Sequence, residues 1–105
     1  MLENLSITEK QILERLRTIP DPEVEVNIVD LGLIYEVKHN EEDKSIFIKM
    51  TLSARGCPVG DTIMQHVETV AKAFLPDHDV KVELTWEPQW TPEMITEEGK
   101  AILNM

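Results

Sequence analysis

One stretch combines a soft nucleophile with backbone features that would charge it: Ser53-Ala54-Arg55-Gly56-Cys57-Pro58-Val59-Gly60. Proline is favoured at the first position of a helix, where its missing N–H would have no partner anyway. Pro58 in that position puts Cys57 at the N-cap, where free amides and the positive end of the helix dipole favour a thiolate. Arg55 adds positive charge two residues earlier, and Gly56 and Gly60 permit tight turns or close approach of another molecule. A thiolate at a helix start suits a soft metal site or a sulfur nucleophile. The bland alternative is a small buried hydrophobe that closes a strand. Local sequence leaves both open.

Cys57 is the only cysteine, so no internal disulfide can form and a reducing, cytoplasmic setting is expected. One thiol is not a cluster site, because iron–sulfur clusters need several protein ligands, usually cysteines. A cluster held here would be labile, bridged between two subunits or shared with the thiols of a partner or of a small molecule. The acidic loop Asp21, Glu23, Glu25 and Asp30 offers hard oxygen ligands or a face for a basic partner; its plainer reading is turn chemistry on a solvated surface. Asp30-Leu31-Gly32-Leu33 reads as a tight turn feeding a strand. Trp86-Glu87-Pro88-Gln89-Trp90 sets two tryptophans around a rigid turn. Trp86 is expected in the core, and Trp90 either staples the last helix or anchors a partner. His39, His66 and His78 show no partner at ligand or dyad spacing, and the chain has no P-loop, GxSxG or HExxH motif.

The elements that must position these residues follow from periodicity. Ser6 and Glu9 form a capping-box pattern ahead of Ile7, Ile12, Leu13 and Leu16, which predicts an amphipathic helix over residues 6–18, stopped by Pro20 and Pro22. Residues 20–32 read as an ordered loop with a short extended piece at Val26–Val29. Two β-rich runs, LIYEVKHN and KSIFIKMTL, flank an acidic turn at Asn40–Asp43, with Ile46, Ile48 and Met50 facing one way. Ile63, Val67, Val70, Ala71 and Phe74 form one stripe of a second helix that Pro76 ends. Val80, Val82, Leu84 and Trp86 alternate as a half-buried strand, parallel to the second through a helical crossover. Thr91 and Pro92 are expected at the cap and first turn of a last helix. The prediction is a single α/β (α+β-like) domain over residues 1–105, ordered helix, hairpin, helix, strand and short helix on a small mixed sheet.

At 105 residues with 42% hydrophobic content the chain suits one modest core. A formal net charge of −10 argues against nucleic acid or an anionic membrane as partners. The N-terminal stretch has no apolar h-region, and no apolar run approaches the roughly 20 residues that span a bilayer.

Four blocks together resemble the signature of the SufT/PaaD-like iron–sulfur assembly domains. They are Asp21-Pro22-Glu23; Asp30-Leu31-Gly32-Leu33-Ile34-Tyr35; Met50-Thr51-Leu52 with Gly56-Cys57-Pro58; and Trp86-Glu87-Pro88-Gln89-Trp90. The resemblance implies a compact α/β domain that helps mature iron–sulfur proteins, with its conspicuous cysteine at Cys57 and its acidic loop residues at Asp21, Glu23 and Asp30. Two departures stand out. The chain ends at Met105 without the cysteine-rich extension of phenylacetate-pathway relatives, so a role in aromatic-ring oxygenation is not expected. Gln89 stands where a second proline is usual.

The resulting expectation is a non-enzymatic accessory factor in cluster assembly or in delivery to client proteins. Cys57 is the transient ligand or contact, shaped by Arg55, Gly56 and Pro58, with Asp21, Glu23 and Asp30 around it and Trp90 touching a partner. Expected partners are iron–sulfur carriers, scaffolds or clients, and a homodimer would ease the shortage of ligands. The rival is a metal-free interaction adaptor in the same pathway. A thiol-dependent enzyme ranks last, because no histidine is obviously placed as a base beside Cys57.

Overall fold

The first helix begins at a reciprocal cap. Ser6 Oγ accepts from the Glu9 amide at 3.1 Å and Glu9 Oε1 accepts from the Ser6 amide at 2.8 Å, which satisfies two donors that have no intrahelical partner. The computed structural model describes residues 4–21, 26–52 and 60–103. Helix α1 spans Ile7–Leu16 and buries Ile12 and Leu16. Ile7, expected on the same stripe, is exposed. It lies about two and a half turns from Leu16 at 3.6 residues per turn, and so faces the opposite side.

The hairpin is β1, Ile34–Asn40, and β2, Ser45–Met50, paired antiparallel. Its turn is closed by Asn40 Oδ1, which accepts from the Asp43 amide at 3.0 Å, and by Lys44 at φ +51°. Helix α2, Gly60–Phe74, then returns the chain to β3, Asp79–Leu84, which runs parallel to β2. The sheet order is β1-β2-β3, the mixed sheet that the hairpin and crossover predict. Ile46, Ile48 and Met50 are buried on one face, together with Ile63, Val67 and Ala71 of α2 and Ile12 and Leu16 of α1. Phe47 and Lys49, on the other face, are only partly covered. Helix α1 packs on β1 and on α2, and α2 packs on β3. The result is a two-layer domain.

Two expectations need correction. The extended piece at Val26–Val29 is instead a single bridge, Pro20 to Asn27, made by Asp21 N to Val26 O at 2.9 Å and Ile28 N to Ile19 O at 3.0 Å. The chain turns straight after it, through Gly32 at φ +81°, so no further pairs can form. The last helix also starts later than expected. Thr91 and Pro92 open only a 3-10 turn, Pro92–Met94, because Ile95 is extended. Helix α3, Glu97–Ile102, starts again from Thr96, whose side chain accepts from the Gly99 amide at 3.1 Å.

This topology gives the sheet two distinct ends. The start of β1 lies with the ends of β2 and β3. The end of β1 lies with the starts of β2 and β3.

Candidate functional site

Three of the sequence blocks meet at the first of those ends. Leu33 O accepts from the Thr51 amide at 2.8 Å and Met50 O from the Thr85 amide at 2.8 Å. These bonds tie the Asp30-Leu31-Gly32 turn, the Met50-Thr51-Leu52 segment and the exit of β3 side by side. Trp90 Nε1 donates to Leu31 O at 2.6 Å, and Tyr35 OH donates to Pro88 O at 2.8 Å. Each indole or phenol thus places its one polar atom on a backbone carbonyl of a neighbouring loop. Trp86 and Trp90 are partly buried against the core. The hydrogen bond that Trp90 makes thus goes to the Leu31 turn.

Asp30 organises the rim. The residue is 4% exposed. Oδ1 accepts from Arg17 Nη1 at 2.9 Å, and Oδ2 accepts from Asn27 Nδ2 at 2.7 Å. Asn27 Oδ1 accepts in turn from the Asp30 amide at 2.8 Å, and Asp30 O accepts from the Thr96 amide at 2.8 Å, docking α3. Arg17 Nε lies 3.2 Å from Glu14 Oε1 but makes no aligned hydrogen bond there. Asp21 is buried as well. The plain reading of these acids as a solvated surface is corrected for both: an internal carboxylate must be paired or hydrogen-bonded to stay charged, and Arg17 and Asn27 do this for Asp30. Glu23, Glu25, Arg55, Gly56, Cys57 and Pro58 lie outside the described residues.

The polar atoms of Tyr35, Trp90 and Asp30 are engaged in holding the rim together. What the rim supplies is therefore shape, at the end of the sheet where the chain leaves β2 for α2. Burial raises the Tyr35 phenol above its ordinary value of 10.0, with the Thr51 hydroxyl pulling the other way. Tyr35 is the sole tyrosine, so its phenolate absorbance is readable directly. Its alkaline titration should have a midpoint above that of a model phenol. A raised folded pKa means stability that is complete below the unfolded value and is lost as pH rises through the folded one. A midpoint at the ordinary phenol value would mean that the Tyr35 ring is not buried in solution.

At the opposite end the structure brings together two residues that spacing did not connect. His39 Nε2 lies 3.0 Å from His78 Nε2, and the rings stack at 5.0 Å. Glu41 Oε2 is 3.1 Å from His39 Nε2. His39 and His78 are 39 residues apart, and no periodic pattern links them. The only available signal is topological: a hairpin followed by a strand parallel to β2 sets the end of β1 and the start of β3 at the same end of the sheet, with β2 between them. His66 is an exposed residue of α2 and joins neither end.

The family described as iron–sulfur cluster assembly protein matches residues 9–84. An Fe-S protein maturation auxiliary factor of Porphyromonas gingivalis is 42% identical over 92 residues, covering 88% of this chain and 87% of the relative. The Fe-S protein maturation auxiliary factor SufT of Staphylococcus aureus is 37% identical over 86 residues, 81% of this chain and 96% of the relative. A crystal structure of a domain of unknown function from Bacillus anthracis superposes with a TM-score of 0.85 at 32% identity, covering 92% of each chain.

Proposed function

This chain belongs to the family of iron–sulfur cluster assembly proteins, and we propose that it acts as an accessory factor that assists cluster assembly or hands a cluster to client proteins through Cys57. The observation that carries the reading is the convergence of Asp30, Thr51 and Trp90 on one rigid rim, at the end of the sheet where the chain leaves Leu52 and re-enters α2 at Gly60. The cluster is cargo. A single thiol supplies one ligand, and the remaining ligands come from a carrier, a client, a small thiol or a second copy. The role is non-catalytic, in keeping with relatives named auxiliary factors, and its setting is the cytoplasm. Among the described residues no helix is long and apolar enough to cross a membrane.

Anaerobic reconstitution with iron and sulfide tests the ligand role. The wild type should develop visible sulfur-to-iron absorption, and Cys57→Ser should not. Equal absence in both removes Cys57 as a ligand. Maturation of an iron–sulfur client in cells should fall with Cys57→Ser, and an unchanged level removes the cysteine role altogether. The adaptor reading predicts equal capture of an iron–sulfur carrier by both proteins. Trp90→Ala alone does not test it, because that change also removes the bond to Leu31. Trp90→Phe keeps the ring and drops only the donor.

A further inference from the structure

We propose that His39, His78 and Glu41 form a binding site for one borderline divalent transition-metal ion, Zn2+ or Fe2+, at the end of the sheet opposite the Asp30 rim. The three donor atoms already stand at ligand spacing. His39 Nε2 and His78 Nε2 are 3.0 Å apart, and Glu41 Oε2 lies 3.1 Å from the first and 3.6 Å from the second. In a tetrahedral site with metal–donor bonds of about 2.0–2.1 Å, neighbouring donors are separated by roughly 3.3 Å. The observed triangle brackets that edge, so an ion needs the imidazoles to part by only a few tenths of an ångström.

The protonation pattern agrees. Asp77 Oδ1 lies 2.8 Å from His78 Nδ1, and a carboxylate can only accept there. That puts the His78 proton on Nδ1 and leaves its Nε2 lone pair facing His39 and Glu41. A carboxylate holding the far nitrogen of a ligating histidine is the usual outer partner of such sites. Asp77 is itself fixed by Lys44 Nζ on Oδ2 at 2.8 Å.

The backbone around the donors is anchored too. Glu9 Oε2 accepts from the His39 amide at 2.9 Å, and His78 O accepts from Lys72 Nζ at 2.6 Å. His78 is 2% exposed, whereas Glu41 is 74% exposed on its side chain, which gives an ion a route in from solvent. Two imidazoles and one carboxylate leave a coordination position for water or a further ligand, and this donor set suits zinc or iron rather than calcium or magnesium. Without metal the pair is a histidine–histidine hydrogen bond. The third donor on the same side is what that bond alone does not require.

Isothermal titration of the chelator-treated full chain with Zn2+, and anaerobically with Fe2+, tests the site. The expected result is one saturable ion per chain, equal in wild type and Cys57→Ser, with the imidazole NMR signals of His39 and His78 moving and that of His66 still. Glu41→Gln, an exposed turn residue whose variant should stay folded, and His39→Ala should each weaken binding at least tenfold. Asp77→Asn should weaken it about tenfold through the lost outer contact. The proposal is overturned by the absence of saturable binding, by loss of binding in Cys57→Ser, or by wild-type affinity in folded Glu41→Gln or His39→Ala. The Cys57→Ser arm keeps this outcome separate from that of the cluster reading.

Discussion

Gly32→Ala is expected to lower the thermal midpoint by about 15 °C. Gly32 sits at φ +81°, in the left-handed region, where a side chain costs about 1 kcal/mol or more. The added Cβ would also collide with the backbone carbonyl of Met94 and press on Met94 Cβ at 2.9 Å. Backbone cannot rotate aside as a flexible side chain can, so the 3-10 turn must shift, at about 1–3 kcal/mol for an overpacked contact. A total near 3 kcal/mol corresponds to about 15 °C at roughly 4–8 °C per kcal/mol for a small domain. Circular dichroism on heating measures it, and a shift under about 4 °C would show that the turn yields without strain. Trp90 bonds the neighbouring carbonyl, Leu31 O, so tryptophan emission should report the same loosening below the midpoint.

Arg17→Met should cost about 2 kcal/mol, and Arg17→Met with Asp30→Asn less than that. The single change leaves a carboxylate that is 4% exposed with only the Asn27 side chain on it. Stranding one member of a fully buried pair costs about 3–5 kcal/mol. The Arg17 side chain is 37% exposed, so solvent already screens part of the pairing and the cost falls below that range. Removing both charges removes the stranded one as well, hence the partial recovery in the double variant. Urea unfolding of the two singles and the double gives the coupling directly. Strict additivity would mean that Arg17 and Asp30 do not interact in solution. Because Asp30 O also receives the Thr96 amide, α3 should loosen along with the turn.

The elements that were legible were those governed by local rules. The Ser6–Glu9 cap, the alternation of Ile46, Ile48 and Met50, and the stripe of Ile63, Val67 and Ala71 each express a period or a pairing a few residues long. Such periods survive folding because a single element imposes them. The errors fell where that logic runs out. Ile7 was grouped with residues half a turn away from it. Thr91-Pro92 carries a helix-start signal that Ile95 interrupts. Charge usually favours exposure, yet Asp21 and Asp30 are buried, and for Asp30 the charge is met by Arg17 and Asn27.

The sequence by itself determined the family and the element order, because ordered motif blocks and hydrophobic periods are properties of the chain. Only the tertiary structure decided that Asp30 is internal, that Trp90 holds the Leu31 carbonyl, and that His39 faces His78 with Glu41 beside them. The histidine pairing depends on how strands register across the sheet, and a one-residue slip would separate it; the other two join loops to a helix end or to each other. Contacts between residues far apart in the chain leave no periodic trace in it, so they become visible only once the strands are set side by side.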